Sequence, residues 1–264
     1  MENLSNPITS EWNSTIPLDK SWQMRLGVLD IIAGRQQDTF DFLETQENLG
    51  DDLTALKDVT QMWGKCNKLP VRESGTLLRF LQFTAWRHNL DLSFKTTGTL
   101  QQRPITTNPS ITTRRQKELL KLDKGTSQWA SAAVLNGDEE RLKNPPYKLE
   151  QTYEAWEHWH QMRDTGALWV PRKDATIEKQ SVTFLELIAG KQATFEAEQA
   201  EDFCFAYVFG YITVEEARKQ WPNLEGHESN RLEEMPTMIG NAERHEVVTS
   251  QDHRVVQALG MWGC

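Results

Sequence analysis

An internal repeat constrains this chain more than any other feature. Leu29-Asp-Ile-Ile-Ala-Gly-Arg-Gln, residues 29–36, returns as Leu185-Glu-Leu-Ile-Ala-Gly-Lys-Gln, residues 185–192. In both copies an amphipathic stretch runs into a glycine, then a cation, then a Thr-Phe pair, Thr39-Phe40 and Thr194-Phe195. Acidic text follows both, Gly50-Asp51-Asp52 and Glu201-Asp202. Gly34 and Gly190 read as residues just past a helix end, where a positive φ is wanted. The Thr-Phe pairs read as short strands. The repeat therefore predicts a module of helix, glycine stop, strand and Asp-started helix, used at least twice.

Other segments keep the same rhythm. Leu53, Leu56, Val59 and Met62 predict a helix over 52–63, and Leu77, Leu78, Leu81 and Ala85 one over 76–87. The first repeat copy predicts a helix over 21–34, and Thr126 reads as the N-cap of a helix over 127–135. Further helices are expected over 150–162, 179–189, 202–209, 213–220, 228–239 and 252–262. Short strands are expected at 70–72, 91–95, 168–170, 193–197 and 245–249. Residues 106–115 and Asn144-Pro145-Pro146 read as loops. The alternation is an α/β pattern, helix-rich with short strands.

The formal net charge of −9 argues against nucleic acid or an anionic membrane as the main partner. No apolar run approaches the length of a membrane span, and the start, MENLSNPITSEWNST, has no signal-peptide pattern. Cys66, Cys204 and Cys264 are odd in number and far apart, which suits a reducing cytoplasmic setting and gives no metal spacing. No metal and no cofactor is expected.

Against this acidic background six short motifs stand in order, five of them with a cation. They are Lys20-Ser21 with Arg25, Ser74-Gly75-Thr76 with Arg79, Arg103-Pro104-Ile105, Thr126-Ser127-Gln128, the stretch from His227 to Leu232, and Asp252-His253-Arg254. Backbone N–H groups exposed beside small residues, hydroxyls and guanidinium groups are what bind phosphate and carboxylate. Taken singly, each has a plainer reading. Lys20 can be a solvated lysine at a helix start, and Gly75-Thr76 or Thr126-Ser127 an ordinary cap. Asp202 can match a helix dipole, and Glu228 with Arg231 can be an intrahelical pair.

The order of the six motifs resembles the 3-phosphoshikimate 1-carboxyvinyltransferase (EPSP synthase) family, over about Ile16 to Trp262. The resemblance implies a two-lobed enolpyruvyltransferase-like fold of repeated βαβ-type modules, with the site in a cleft. One lobe would be built from residues 1–48 and 168–264, the other from 49–167. It implies transfer of an enolpyruvyl (1-carboxyvinyl) group from phosphoenolpyruvate to the hydroxyl of a phosphorylated hydroxy acid, by default shikimate 3-phosphate. Lys20, Asp202 and Glu228 would be catalytic. Gly75, Thr76, Arg103, Arg231 and Arg254 would bind phosphoenolpyruvate. Ser21, Arg25, Thr126, Ser127, Gln128 and Tyr147 would bind the acceptor, and Arg79 would serve structure.

The chain departs from the pattern at several points. Asp19 stands where a serine usually precedes the lysine, and His227 where a lysine is common. Thr99 or Leu100 takes the place of an arginine, and no counterpart of the C-terminal lysine element follows Arg254 before Cys264. These departures carry the alternative expectation, a non-catalytic relative that binds an anionic metabolite or a protein partner.

Overall fold

The structure is a computed structural model. It describes residues 18–46, 49–106, 118, 121–123, 125–142, 149–165, 172–175, 178–179, 182–183, 186, 203–220, 224, 231–246, 250, 252, 254–255 and 258–259. The chain divides into two units, Asp19–Arg172 and a second formed by Met1–Leu18 with Lys173–Cys264.

In the first unit α1 (Lys20–Ile32) is the central helix, with Met24, Leu26, Val28, Leu29 and Ile31 all buried. Asp19 starts it by accepting the Trp22 N–H, and Gly34 at φ +72° follows its end, as the sequence predicts. α1 packs on α2 (Gln36–Glu44), α3 (Asp51–Met62) and α6 (Glu150–Thr165). Gly27 permits the close approach of α3, since a Cβ there would meet Leu56 Cδ2 at 2.7 Å.

Thr39-Phe40 is not a strand. Both residues lie in α2, where the Thr39 hydroxyl turns inward and donates to Asp30 Oδ2 at 2.7 Å. A tertiary hydrogen bond here overrides the β preference of a branched and an aromatic residue. The second copy of the repeat, with Gly190 and Thr194-Phe195, lies outside the described residues, as do the strands expected at 168–170 and 193–197. His245 and Glu246, expected to open a strand, are in a turn region with His245 at φ 58°.

β1 (Lys68–Arg72), α4 (Gly75–Arg87) and β2 (Ser93–Thr96) form one βαβ unit, with the two strands parallel and Leu69 opposite Phe94. The register breaks between Pro70 and Arg72, as expected where a proline removes a ladder donor. This two-stranded sheet is the only one among the described residues. The described fold is therefore helix-rich with a small parallel sheet, compatible with α/β. α4 buries Leu77, Phe80, Leu81 and Phe83 and packs on α5 (Thr126–Leu135). Thr126 is the first helical residue of α5, not its cap; Gly125 holds that place. α1 and α2, expected with the lobe made from the chain ends, pack inside Asp19–Arg172.

In the second unit Leu18 bridges antiparallel to Lys173. α7 (Phe203–Val208), α8 (Val214–Gln220) and α9 (Arg231–Glu243) gather a core of Phe203, Phe205, Ala217, Leu232 and Met235. Among the described residues no helix is long and apolar enough to cross a membrane. No group of three or more His, Cys, Asp or Glu side chains there could hold a metal ion.

Candidate anion site

α4 begins with Ser74, whose Oγ accepts the Leu77 N–H at 3.3 Å. Gly75 and Thr76 form its first turn, and that turn holds no acidic residue. The nearest carboxylate in sequence, Glu73, is turned aside: its Oε2 accepts from the Thr99 N–H at 3.2 Å and from Thr99 Oγ1 at 3.0 Å. Thr99 in turn accepts from Arg103 Nη2 at 2.5 Å. Arg103 is thus tied through Thr99 and Glu73 to the start of α4.

The next strand of the network is buried. Arg79 sits in the second turn of α4 and grips Asp123 through Nε at 2.9 Å and Nη2 at 2.7 Å. Its Nη1 donates to Gln128 Oε1 at 2.5 Å. Asp123 also accepts from Gly125 N, from Trp129 Nε1 and from Thr106 N. One carboxylate therefore fixes the start of α5, the second turn of α4 and the segment that follows Arg103. Arg79 is structural, in keeping with the role the resemblance implies.

Lys20 is the first residue of α1, and its ammonium pairs with Asp52 Oδ2 at 2.9 Å. Ser21 offers its carbonyl to Arg25 Nη1 at 2.7 Å. Arg25 Nε donates to Thr152 Oγ1 at 2.9 Å, and Thr152 shares a hydrogen bond with Ser131 on α5. The Arg25 guanidinium lies over the Phe80 ring. Burial lowers the Arg25 pKa to about 10, partly offset by Asp19, so the group stays charged at neutral pH.

These bonds link the first two turns of four helices in the unit. The second turn of α1 meets the second turn of α4 through Arg25 and Phe80. It meets the first turn of α6 through Arg25 and Thr152. The first turn of α5 meets α4 through Gln128 and Arg79. Aligned peptide dipoles make each helix start electropositive. The protein answers most of that field itself, with Asp19 at α1, Asp123 before α5 and Glu150 at α6. The start of α4 is the exception, because its own cap is the neutral Ser74.

Of the expected residues, Lys20, Ser21, Arg25, Gly75, Thr76, Arg103, Thr126, Ser127 and Gln128 belong to this unit. Arg231 and Arg254 belong to the second, where they meet on one carboxylate. Arg231 Nε donates to Asp252 Oδ2 at 2.6 Å, and the Arg254 N–H donates to Asp252 Oδ1 at 2.9 Å. Arg254 Nη2 lies 3.6 Å from Asp174, while its buried Nη1 has no hydrogen-bond partner among the described residues. Cys204 beside them is pushed up to about 12 by burial, which leaves an unreactive thiol. Tyr147, Asp202 and Glu228 lie outside the described residues.

Sequence reasoning missed Asp123, Thr152 and Arg172. Asp123 left one signal, an acid two positions before a glycine at a helix start. Thr152 and Arg172 left none, since the partners that matter most, Arg25 and Asp19, are more than a hundred positions away. No protein-family model, no curated protein and no solved structure matches the chain.

Proposed function

We propose that the chain is an enolpyruvyltransferase-like protein with the two-lobed fold its motifs imply. It takes phosphoenolpyruvate as donor and a phosphorylated hydroxy acid, by default shikimate 3-phosphate, as acceptor. What supports this reading is that Arg25, Gln128 and Arg103, from three of the motifs, join one network of contacts running through Phe80, Arg79, Asp123, Thr99 and Glu73. Local structure alone gives no reason for motifs so far apart in sequence to share such a network. The proposal includes a cytoplasmic location and a place in aromatic amino acid biosynthesis.

The reaction needs these groups. The acceptor hydroxyl adds to C2 of phosphoenolpyruvate while C3 takes a proton; phosphate then leaves as a C3 proton is lost. Cationic character at C2 calls for a proton donor and a base on either side, the roles proposed for Lys20, Glu228 and Asp202. Backbone N–H groups at Gly75-Thr76 and the Arg103 guanidinium suit the phosphate of the donor.

One observation favours the non-catalytic reading. Arg25 is engaged by Thr152 and by the Ser21 carbonyl, and Gln128 Oε1 by Arg79, so two groups proposed for the acceptor already serve the protein. Under that reading the site takes an anionic metabolite and performs no transfer. Release of inorganic phosphate from phosphoenolpyruvate and shikimate 3-phosphate separates the two. A transferase releases it, and Glu228→Gln lowers turnover on the order of a hundredfold while ligand affinity holds. Tight binding without release, unchanged in Glu228→Gln, establishes the binder. Arg103→Ala weakens phosphoenolpyruvate in either case, and equal affinity would remove Arg103 from the site.

A further inference from the structure

The second unit holds a groove of about 790 Å³ between α8, α9 and the end of α7, a volume in the range of small-molecule sites. Ile212, Val214, Leu232, Pro236 and Ile239 give it an apolar lining, and Tyr207 adds an aromatic side. Its charged lining is Glu215, Arg218 and Glu233. Arg218 and Glu233 are each engaged by another group of the chain. The exposed Glu215 carboxylate has no hydrogen bond or ion pair among the described residues. Its neighbour Glu216 does the local work. Glu216 Oε2 accepts from the Thr213 N–H at 2.8 Å, and the Glu216 N–H donates to Thr213 Oγ1 at 3.2 Å, a reciprocal cap that starts α8. The helix start therefore does not need Glu215 as a cap. Pro236 stands inside α9 and has no N–H to give the Leu232 carbonyl one turn back. Both residues line the groove, so the same wall carries a backbone acceptor without its usual helical donor.

We propose that this groove binds a small organic cation, an amine carried on an apolar body. The charge of the lining that is left uncompensated is negative, so the groove is complementary to a cation. The apolar body lies on Ile212, Leu232 and Ile239. The ammonium donates to the Glu215 carboxylate, with the Tyr207 ring face as a second attraction. A carboxylate or phosphate on the same body would meet Glu215 as a like charge. None of the residues expected to act on phosphoenolpyruvate or its acceptor lines the groove, so the inference goes beyond the function proposed above and does not depend on it.

The test is calorimetric titration of the full chain with n-octylammonium, n-octanoate and n-octanol, near neutral pH and at low ionic strength. The three probes share one tail and differ in the charge of the head. Octylammonium is expected to bind about tenfold more tightly than octanoate, with octanol between them. Glu215→Gln removes the charge at an exposed position. It should lower octylammonium affinity about three- to tenfold and leave octanol unchanged. Thr237→Trp, at an exposed position of the lining, fills the groove and should abolish binding of all three. Circular dichroism checks that the variants fold. If the tryptophan variant does not, Glu215→Lys decides, since it should reverse the order of octylammonium and octanoate. Octanoate bound as tightly as octylammonium overturns the inference, and so does a wild type that binds no octylammonium. Octylammonium binding that Glu215→Gln leaves unchanged, or that a folded Thr237→Trp retains, also overturns it. A wild-type dimer in sedimentation that Thr237→Trp dissociates does the same, because a second copy then fills the groove.

Discussion

Asp123 and Asp30 are carboxylates of the same unit, 1% and 2% exposed, and they are held in opposite ways. Asp123 faces a guanidinium: Arg79 reaches it through two nitrogens, and Gly125, Trp129 and Thr106 add donors. Asp30 is held by neutral donors, Thr39 Oγ1 at 2.7 Å and Trp159 Nε1 at 2.8 Å. Burial pushes the Asp30 carboxyl above its ordinary range, and the two hydrogen bonds only partly oppose that. The region around Asp123 is thus a charged clamp that ties Thr106, the second turn of α4 and the start of α5. The region around Asp30 is a polar pin within a helix seam. A buried carboxylate says little until its donors are known.

Mutations can break this contrast. The largest effect is expected from Asp123→Ala. It leaves the Arg79 guanidinium buried beside Gln128 alone, and loss of one partner of a buried pair costs about 3–5 kcal/mol. Urea denaturation measures it, and a loss below about 1 kcal/mol would show that the clamp is not holding. Gly125→Ala attacks the same clamp without touching a charge. A Cβ there would run into the Arg79 side chain, so the arginine must move off its present path. A loss of about 1–3 kcal/mol is expected, with the Trp129 fluorescence changed as its indole partner shifts.

Thr39→Val removes one neutral donor from Asp30 and keeps the shape. About 1–3 kcal/mol should be lost, smaller than for Asp123→Ala because no cation is stranded. The smallest effect is expected from Asp30→Asn, and its sign depends on pH. A carboxyl whose folded pKa lies above its unfolded value adds stability that is present below the unfolded value. That stability is lost as pH rises through the folded value. Asparagine carries no such term, and the Thr39 hydroxyl can turn to accept from its amide. The variant should equal or exceed the wild type at pH 8 and fall behind it at pH 4. Parallel stability curves between those pH values would mean that Asp30 does not titrate differently on folding.

The same contrast explains what could be read in advance. Helices with one clear apolar stripe were legible: Leu53, Leu56 and Val59 marked α3, and Leu77, Leu78 and Leu81 marked α4. Short strands were legible near 70 and 93, though not their parallel pairing. What failed was set by distant partners. Thr39 is helical because Asp30 and Gly27 wait for it across a seam. Asp19 could be seen as a charge out of place, but Arg172, which neutralises it, stands 153 positions later. Asp123 could be seen only as an acid before a glycine, because Arg79, its cation, belongs to another helix. Periodicity records which face a helix buries, and it carries no information on which polar group is buried against which.

The hydrogen bond from Asp19 N to the Arg172 carbonyl, 2.7 Å long, has a consequence for how such a protein is assembled. It sets the first and last residues of one unit side by side, so that stretch is a contiguous insert with adjoining termini. A ribosome completes it once residue 172 has emerged, before α7 to α9 exist, and its packing can close without waiting for them. The second unit must join Leu18 to Lys173 across everything made between them. Adjoining termini also make the insert portable, since a host loop could accept it with little distortion of either partner.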